Sequence, residues 1–285
     1  MTKLKIAVQK SGRLNEESLK LLKECGISID NGKDQLKAQA RNFPVEILYL
    51  RNSDIPQYIE DGVADLAIIG ENTLIEKDKK VEKLQKLGFS KCRLSLAAPK
   101  QAMAEGISFF EGKKIATSYP NTLRSYLEKQ NISAELHVIS GSVEIAPNIG
   151  LADGICDIVS SGSTLFKNGL EEVLVMFESE ACLVKNKNLS PEKQEILDKL
   201  QFRLDSVLRA RNFRYILMNI PTDRIEKVNK ILPVLKSATV LPLLQEGWSS
   251  LHSVIERNKF WEVIDELKQE GATDILVLPI EKMVR

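Results

Sequence analysis

Residues 144–165, EIAPNIGLADGICDIVSSGSTL, carry the densest set of groups able to do chemistry. The apolar run over 155–160 reads as a buried strand, followed by a glycine-containing turn and a helix starting near Ser163. Backbone N–H groups of 161–164, the hydroxyls of Ser160, Ser161, Ser163 and Thr164, and the helix dipole then form an anion site of phosphate size. Gly162 lets the backbone approach such a ligand closely. Asp153 and Asp157 lie just ahead of the turn. In a ribose-phosphate site, carboxylates accept hydrogen bonds from ring hydroxyls while the turn holds the 5-phosphate, and they can hold Mg²⁺ through water. An ordinary strand-to-helix connection with a serine or threonine cap would use the same residues, so spacing alone leaves both readings open.

Other candidates are sparser. Lys10 and Arg13 follow a first apolar strand, and fixed cations there suit a pyrophosphate or triphosphate, or simply solvent. Glu71 stands either as a first-turn helix acid or as a ligand contact. Neither G-x-x-x-x-G-K-[ST] nor G-x-G-x-x-G occurs, and zinc spacing is missing. His137 falls within a strand and His252 in a separate C-terminal domain, which argues against a shared acid–base or metal role. Cys156 alternates with apolar strand residues and reads as core.

The elements that must position these groups alternate. Apolar runs at 4–8, 45–50, 65–69, 94–98, 114–118, 136–139 and 157–160 read as strands, with amphipathic helices at 16–25, 55–61 and 122–130 between them. Such alternation implies parallel or mixed sheets with helices on both faces, and ligands at the carboxyl ends of strands. Five of those ends are rich in small polar residues, which suggests one large polar ligand or two in a shared cleft. The lysine-rich segment 76–91 reads as a solvated helix or loop, and 190–211 as one long helix opened by Ser190-Pro191-Glu192. Strands at 215–220, 239–243, 251–255 and 274–278 and helices at 222–231 and 259–270 then give a β-α-β-β-α-β order, with a domain boundary near Asn212.

Composition narrows the class. The 285 residues carry 40 Lys+Arg against 39 Asp+Glu, a net +1, which argues against a nucleic-acid binder or an acidic tail. No run free of charged residues exceeds nine, against about 20 for a membrane helix, so no membrane association is expected. The N-terminus lacks the roughly 7–15 apolar residues of a secretory signal. Four widely spaced cysteines with no C-x-x-C fit reduced thiols, and a cytoplasmic protein is expected.

Glu144, Gly150, Ala152, Ile155, Asp157, Ile158, Ser161, Gly162, Thr164 and Leu165, ten positions over 22 residues, resemble the segment that identifies the ATP phosphoribosyltransferase family. QKSGRL (9–14), IIGEN (68–72), CRLSLA (92–97), IATSYP (115–120), GSVEIAP (141–147) and LPIEKM (278–283) extend the resemblance over essentially the whole chain, in its long form. The resemblance implies an α/β fold with two catalytic domains of the type II periplasmic-binding-protein kind, 1–91 with 182–211 and 92–181, plus an ACT-like, ferredoxin-like domain over 212–285. It implies that ATP and phosphoribosyl pyrophosphate combine, with Mg²⁺, in the first step of histidine biosynthesis. Glu144 and Asp157 would be catalytic; Asp153, Asp157, Ser160, Ser161, Gly162, Ser163 and Thr164 would bind phosphoribosyl pyrophosphate; Lys10, Arg13, Glu71 and Tyr119 would bind ATP. Histidine would inhibit through Asn219, Leu235, Ser237, Thr239 and Asp274 of a homo-oligomer, dimer to hexamer, with Asn219 standing where some relatives place an acid. Prephenate dehydratase shares the layout, but its Thr-Arg-Phe motif is absent. A non-catalytic solute-binding protein is the remaining alternative, which the absent signal peptide and the added domain disfavour.

Overall fold

The computed structural model describes residues 2–30, 36–232 and 238–284. Met1–Lys20 with Ile27–Ile196 form one compact unit, and Leu21–Gly26 with Leu197–Arg285 a second.

The first unit is organised around two sheets. One lobe takes β1 (Leu4–Gln9), the first part of α1 (Arg13–Glu24), β2 (Lys37–Gln39), β3 (Val45–Leu50), α2 (Ile55–Glu60), β4 (Leu66–Gly70), α3 (Glu71–Lys77) and β5 (Glu82–Lys86). The other takes β6 (Cys92–Pro99), β7 (Lys114–Thr117), α4 (Pro120–Gln130), β8 (Glu135–Val138), β9 (Gly154–Val159), α5 (Ser163–Lys167) and β10 (Leu170–Ser179). The chain then returns to the first sheet as β11 (Ala181–Lys185) before α6 (Pro191–Arg211).

The first sheet runs β2-β3-β1-β4-β11-β5, with β1, β3 and β4 parallel and β11 antiparallel to both its neighbours. Near-continuous apolar runs in β1 and β4 suit strands covered on both faces; Leu4, Ile6, Ala7, Val8 and Leu66 to Ile69 are all buried. The second sheet runs β10-β6-β9-β7-β8, and β9 sits between β6 and β7. One face packs Leu94, Leu96, Phe110, Ile115 and Cys156 together, the other Ala97, Ala116, Ile155 and Leu165. In each sheet a run of three parallel strands meets an antiparallel one, β11 beside β4 and β6 beside β9.

Several segments depart from the sequence reading, with β2, β10 and β11 present as strands that it did not place. The lysine-rich stretch is partly a strand: β5 lies at the sheet edge with its charges outward, where they discourage further pairing. The strand β10 shows no clean period of two in its sequence because register shifts at 172/174 and 175/177 break its alternation.

The second unit contains the far part of α6, then β12 (Phe213–Pro221), α7 (Ile225–Ile231), β13 (Thr239–Pro242), β14 (Trp248–Glu256), α8 (Phe260–Gln269) and β15 (Thr273–Pro279). Its antiparallel sheet has the order β13-β14-β12-β15, a ferredoxin-like arrangement. Alternate residues Ile216, Met218 and Ile220 of β12 and Leu251 and Ile255 of β14 pack with Val228 and Leu267 of the helices. Among the described residues, no helix is long and apolar enough to cross a membrane.

Close packing beneath β9 gives a direct test. A Cβ on Gly154 would stand 2.6 Å from the buried Phe110 ring and 3.0 Å from the Ala97 carbonyl oxygen. Gly154→Ala is expected to cost about 1–3 kcal/mol by overpacking, read as a lower urea-unfolding midpoint. Adding Phe110→Leu should return part of that loss.

Candidate functional site

Strand β9 ends at Val159, and the chain turns through Ser160, Ser161 and Gly162 into α5. Gly162 has φ +79°, the left-handed region that favours glycine. A Cβ there would find its nearest neighbours at 3.9 Å and 4.0 Å, so the backbone angle, rather than lack of space, calls for glycine. Helix α5 has only five residues, so its dipole is slight, and the donors are the individual N–H groups of the turn. Ser161 Oγ lies 3.0 Å from Ser163 Oγ, and both side chains are exposed.

A cavity of about 230 Å³ opens beside this turn, lined by Glu144, Asp157, Ser160, Ser161, Gly162 and Thr164 over apolar Ile155, Val159 and Leu165. Burial pushes the Asp157 carboxyl up to about 6. The Ile158 backbone N–H works against that, the neighbouring Glu144 charge adds to it, and Ser118 Oγ donates to Asp157 at 3.5 Å. Two carboxylates on one small cavity suit ribose hydroxyls, developing positive charge, or a hard divalent cation completed by water and phosphate oxygens. Among the described residues, no group of three or more His, Cys, Asp or Glu is arranged to hold a metal ion by itself.

Asp153 requires correction. Its carboxylate accepts the Lys114 backbone N–H at 2.9 Å, and its own N–H donates to the Lys114 carbonyl at 2.8 Å. It therefore fixes the start of β9 to the start of β7. The six residues of β9 separate it from the turn by about 20 Å, so closeness in sequence misled. Ser163 does not line the cavity either; its hydroxyl faces that of Ser161.

Arg93, which the sequence reading left without a role, lies under the turn. It pairs with Val159 across β6 and β9. Its Nε donates to Glu172 Oε2 at 2.7 Å, Nη2 donates to the other carboxylate oxygen, and Nη1 donates to the Ser160 carbonyl at 3.2 Å. Ser95 Oγ also donates to Glu172, at 2.8 Å. The Arg93 guanidinium holds the Glu172 carboxyl below its ordinary range. A second cavity, about 250 Å³, shares Ser160 with the first and is lined by Arg93, Lys86, Lys91, Cys92 and Ser179. The CRLSLA segment was the one sequence signal that contained Arg93.

Lys10, Arg13, Glu71 and Tyr119 line neither cavity. Lys10 and Arg13 are exposed at the end of β1, and Arg13 lies 3.4 Å from Glu17. Arg13 is close enough to Cys92 for its charge to oppose the upward push of burial on that thiol. Burial of Glu71 is outweighed by Lys83 at 2.7 Å and Lys86 at 3.3 Å, which hold its carboxyl low and occupy it. Tyr119, whose phenol is pushed far up by burial, accepts Asn72 Nδ2–H at 2.7 Å and ties the lobes together. Glu76 adds to that tie: its carboxylate accepts the N–H of Asn121 at 3.1 Å, the N–H of Thr122 at 2.9 Å and the hydroxyl of Thr122 at 2.7 Å.

In the second unit, Asn219 Nδ2 donates to Asp274 Oδ2 at 3.0 Å. Thr239 faces His252 across β13 and β14, two strands or about 10 Å from β12, so it does not join that pair. Leu235 and Ser237 lie outside the described residues. His252 sits between Tyr215 Oη at 2.7 Å and Ser250 Oγ at 3.0 Å. Cys25, Cys156 and Cys182 are buried, and burial pushes each thiol up, Cys25 to about 11.

A family model described as ATP phosphoribosyltransferase matches residues 51–206, and one described as HisG, C-terminal domain, matches residues 210–282. A protein of Cytophaga hutchinsonii named ATP phosphoribosyltransferase is 56% identical over 284 residues, covering 100% of this chain and 99% of its own. One of Bacteroides thetaiotaomicron with the same name is 55% identical over 281 residues, covering 99% of each. Among solved structures, a chain of the ATP phosphoribosyl transferase (HisG:HisZ) complex from Thermotoga maritima is 30% identical with a TM-score of 0.61. That match covers 71% of this chain and 98% of the other.

The Asp157 environment gives a pH signature. Its carboxyl rises from 3.8 to about 6 on folding, so the native state holds an extra proton between those values. Stability should therefore fall as pH rises from about 4 to about 6, by about 1–3 kcal/mol, and stay lower above. Urea unfolding of Asp157→Asn is expected to lack that fall. An Asp157 ¹³C carboxyl resonance titrating near pH 4 would contradict it.

Proposed function

Since the chain belongs to the ATP phosphoribosyltransferase family, we propose that its two-lobed unit condenses ATP with phosphoribosyl pyrophosphate to give phosphoribosyl-ATP and pyrophosphate, the first step of histidine biosynthesis. The observation that carries this reading is the single cavity onto which the Ser160–Gly162 turn, Asp157 and Glu144 all face.

The turn's N–H groups hold the 5-phosphate, while Asp157 and Glu144 accept the ribose hydroxyls. Nitrogen 1 of adenine attacks the anomeric carbon; the bond from that carbon to pyrophosphate breaks, and the electron pair leaves with the pyrophosphate. The nucleophile is a neutral lone pair, so no strong general base is needed. Positive charge grows at the anomeric carbon and ring oxygen, and the two carboxylates stabilise it once Asp157 is ionised. Positioning two anionic substrates supplies much of the remaining advantage. Lys10 and Arg13, exposed cations at the carboxyl end of β1, are assigned to the ATP phosphates. The oxygen donors of Asp157 and Glu144 fit Mg²⁺, which when bound would neutralise charge on the leaving pyrophosphate.

The ferredoxin-like unit is assigned to histidine sensing, with Asn219 and Asp274 as one set of contacts and Thr239, two strands away, as another, in a cytoplasmic homo-oligomer. Inhibition then requires that histidine favour the less active state.

Pyrophosphate release should require both ATP and phosphoribosyl pyrophosphate and should stop when a chelator removes Mg²⁺. Release from one substrate alone would overturn the assignment. Gly162→Val, which loses charge-assisted bonds of about 1.5–3 kcal/mol each, should raise the KM for phosphoribosyl pyrophosphate about tenfold or more and leave that for ATP near its wild-type value. Cutting the chain at 212 would sever the unit made of Leu21–Gly26 and Leu197–Arg285, so histidine sensing is best tested by substitution. Thr239→Val and Asp274→Ala should keep activity and lose histidine inhibition. Full inhibition in both would place the sensor elsewhere.

A further inference from the structure

We propose that Arg93 and Glu172 act as positioning residues, a neutral brace that aims the anion turn and so sets affinity for the phosphoribosyl group. The inference rests on the assignment of that turn to the 5-phosphate. A turn that ends in a glycine has little side-chain steric restraint of its own, yet an anion site works only when its donors are held in place. The Ser160 carbonyl receives Arg93 Nη1–H at 3.2 Å. In a trans peptide the C=O and the following N–H point in opposite directions, so pulling the Ser160 carbonyl down onto β6 aims the Ser161 N–H away from Arg93.

Glu172 determines where the guanidinium stands. It takes two parallel N–H groups of the same fork, and Ser95 Oγ–H holds one of its oxygens from the neighbouring strand. A planar fork gripped by a carboxylate has one orientation, which a lysine ammonium cannot copy. The chain folds this into the sheet: Arg93 is on β6, Glu172 on β10, and Ser160 follows β9, three adjacent strands. Built on a Cβ at Gly162, the nearest atoms would be Glu172 Oε1 and Arg93 Nη2, which places the pair directly beneath the turn. Because Glu172 cancels the charge of Arg93, the brace acts through geometry rather than long-range attraction.

The test is steady-state kinetics with each substrate varied in turn. Arg93→Met should raise the KM for phosphoribosyl pyrophosphate about tenfold or more, with the KM for ATP changed less than about twofold. Glu172→Gln should do the same to a smaller degree. The double variant should be no worse than Arg93→Met, because Glu172 acts only through Arg93. Arg93→Lys, which keeps one donor for the Ser160 carbonyl, should recover part of the loss. If Arg93→Met does not fold, Ser95→Ala loosens Glu172 without removing a charge and carries the same selective prediction. Equal increases in both KM values, additive losses in the double variant, or an unchanged KM for phosphoribosyl pyrophosphate would overturn the brace. Gly162→Val separates the two assignments: if it raises that KM while the Arg93 variants do not, the brace fails and the turn stands. If neither raises it, the turn assignment itself fails.

Discussion

A carboxylate buried where two lobes meet must find donors there, and Glu76 finds them in the backbone of α4. Only 5% exposed, it takes the first N–H groups of a helix whose own N-cap, Tyr119, supplies no side-chain cap. The helix needs an acceptor, the acid needs donors, and each need is met from the opposite lobe. Asn72 reinforces the contact by donating to Tyr119 and accepting from Ser179. The relative placement of the two sheets depends on this exchange.

The division of labour among charges follows from the same rule. Glu71, Glu76 and Glu172 are each matched by cations or backbone donors, and so serve the framework. Asp157 and Glu144 face a cavity together, and there burial, with the Glu144 charge adding to it, holds the Asp157 carboxyl up. An acid held in that condition is poised for a ligand that brings hydroxyls or positive charge.

Much of the fold was legible because its signals are local. Apolar runs in β1, β3 and β4 and the β-α-β-β-α-β order at the C-terminus appear in the structure within a few residues of where periodicity puts them. β10 was hidden because its bulges spoil alternation, and β5 because its lysines look solvated, as edge strands do. The turn at 160–164 was readable as a short motif, whereas Arg93 was not: its importance comes from three strands brought side by side, and no spacing in one dimension encodes that. Asp153 shows the converse, since a strand carries neighbours in sequence to opposite ends of a sheet.

The position of β11 bears on how the chain is made. It lies between β4 and β5, although 94 residues of the other lobe (from Leu87 to Glu180) separate it from the latter. While the chain emerges from a ribosome, β4 has an open edge and β5 no partner until residue 181 has been synthesised. The N-terminal lobe is therefore the first to be translated but cannot be the first completed. Long-range pairing of this kind slows folding and leaves unpaired strands exposed in the interim. The charges along β5 then have a second use, keeping a waiting strand from pairing with another nascent chain.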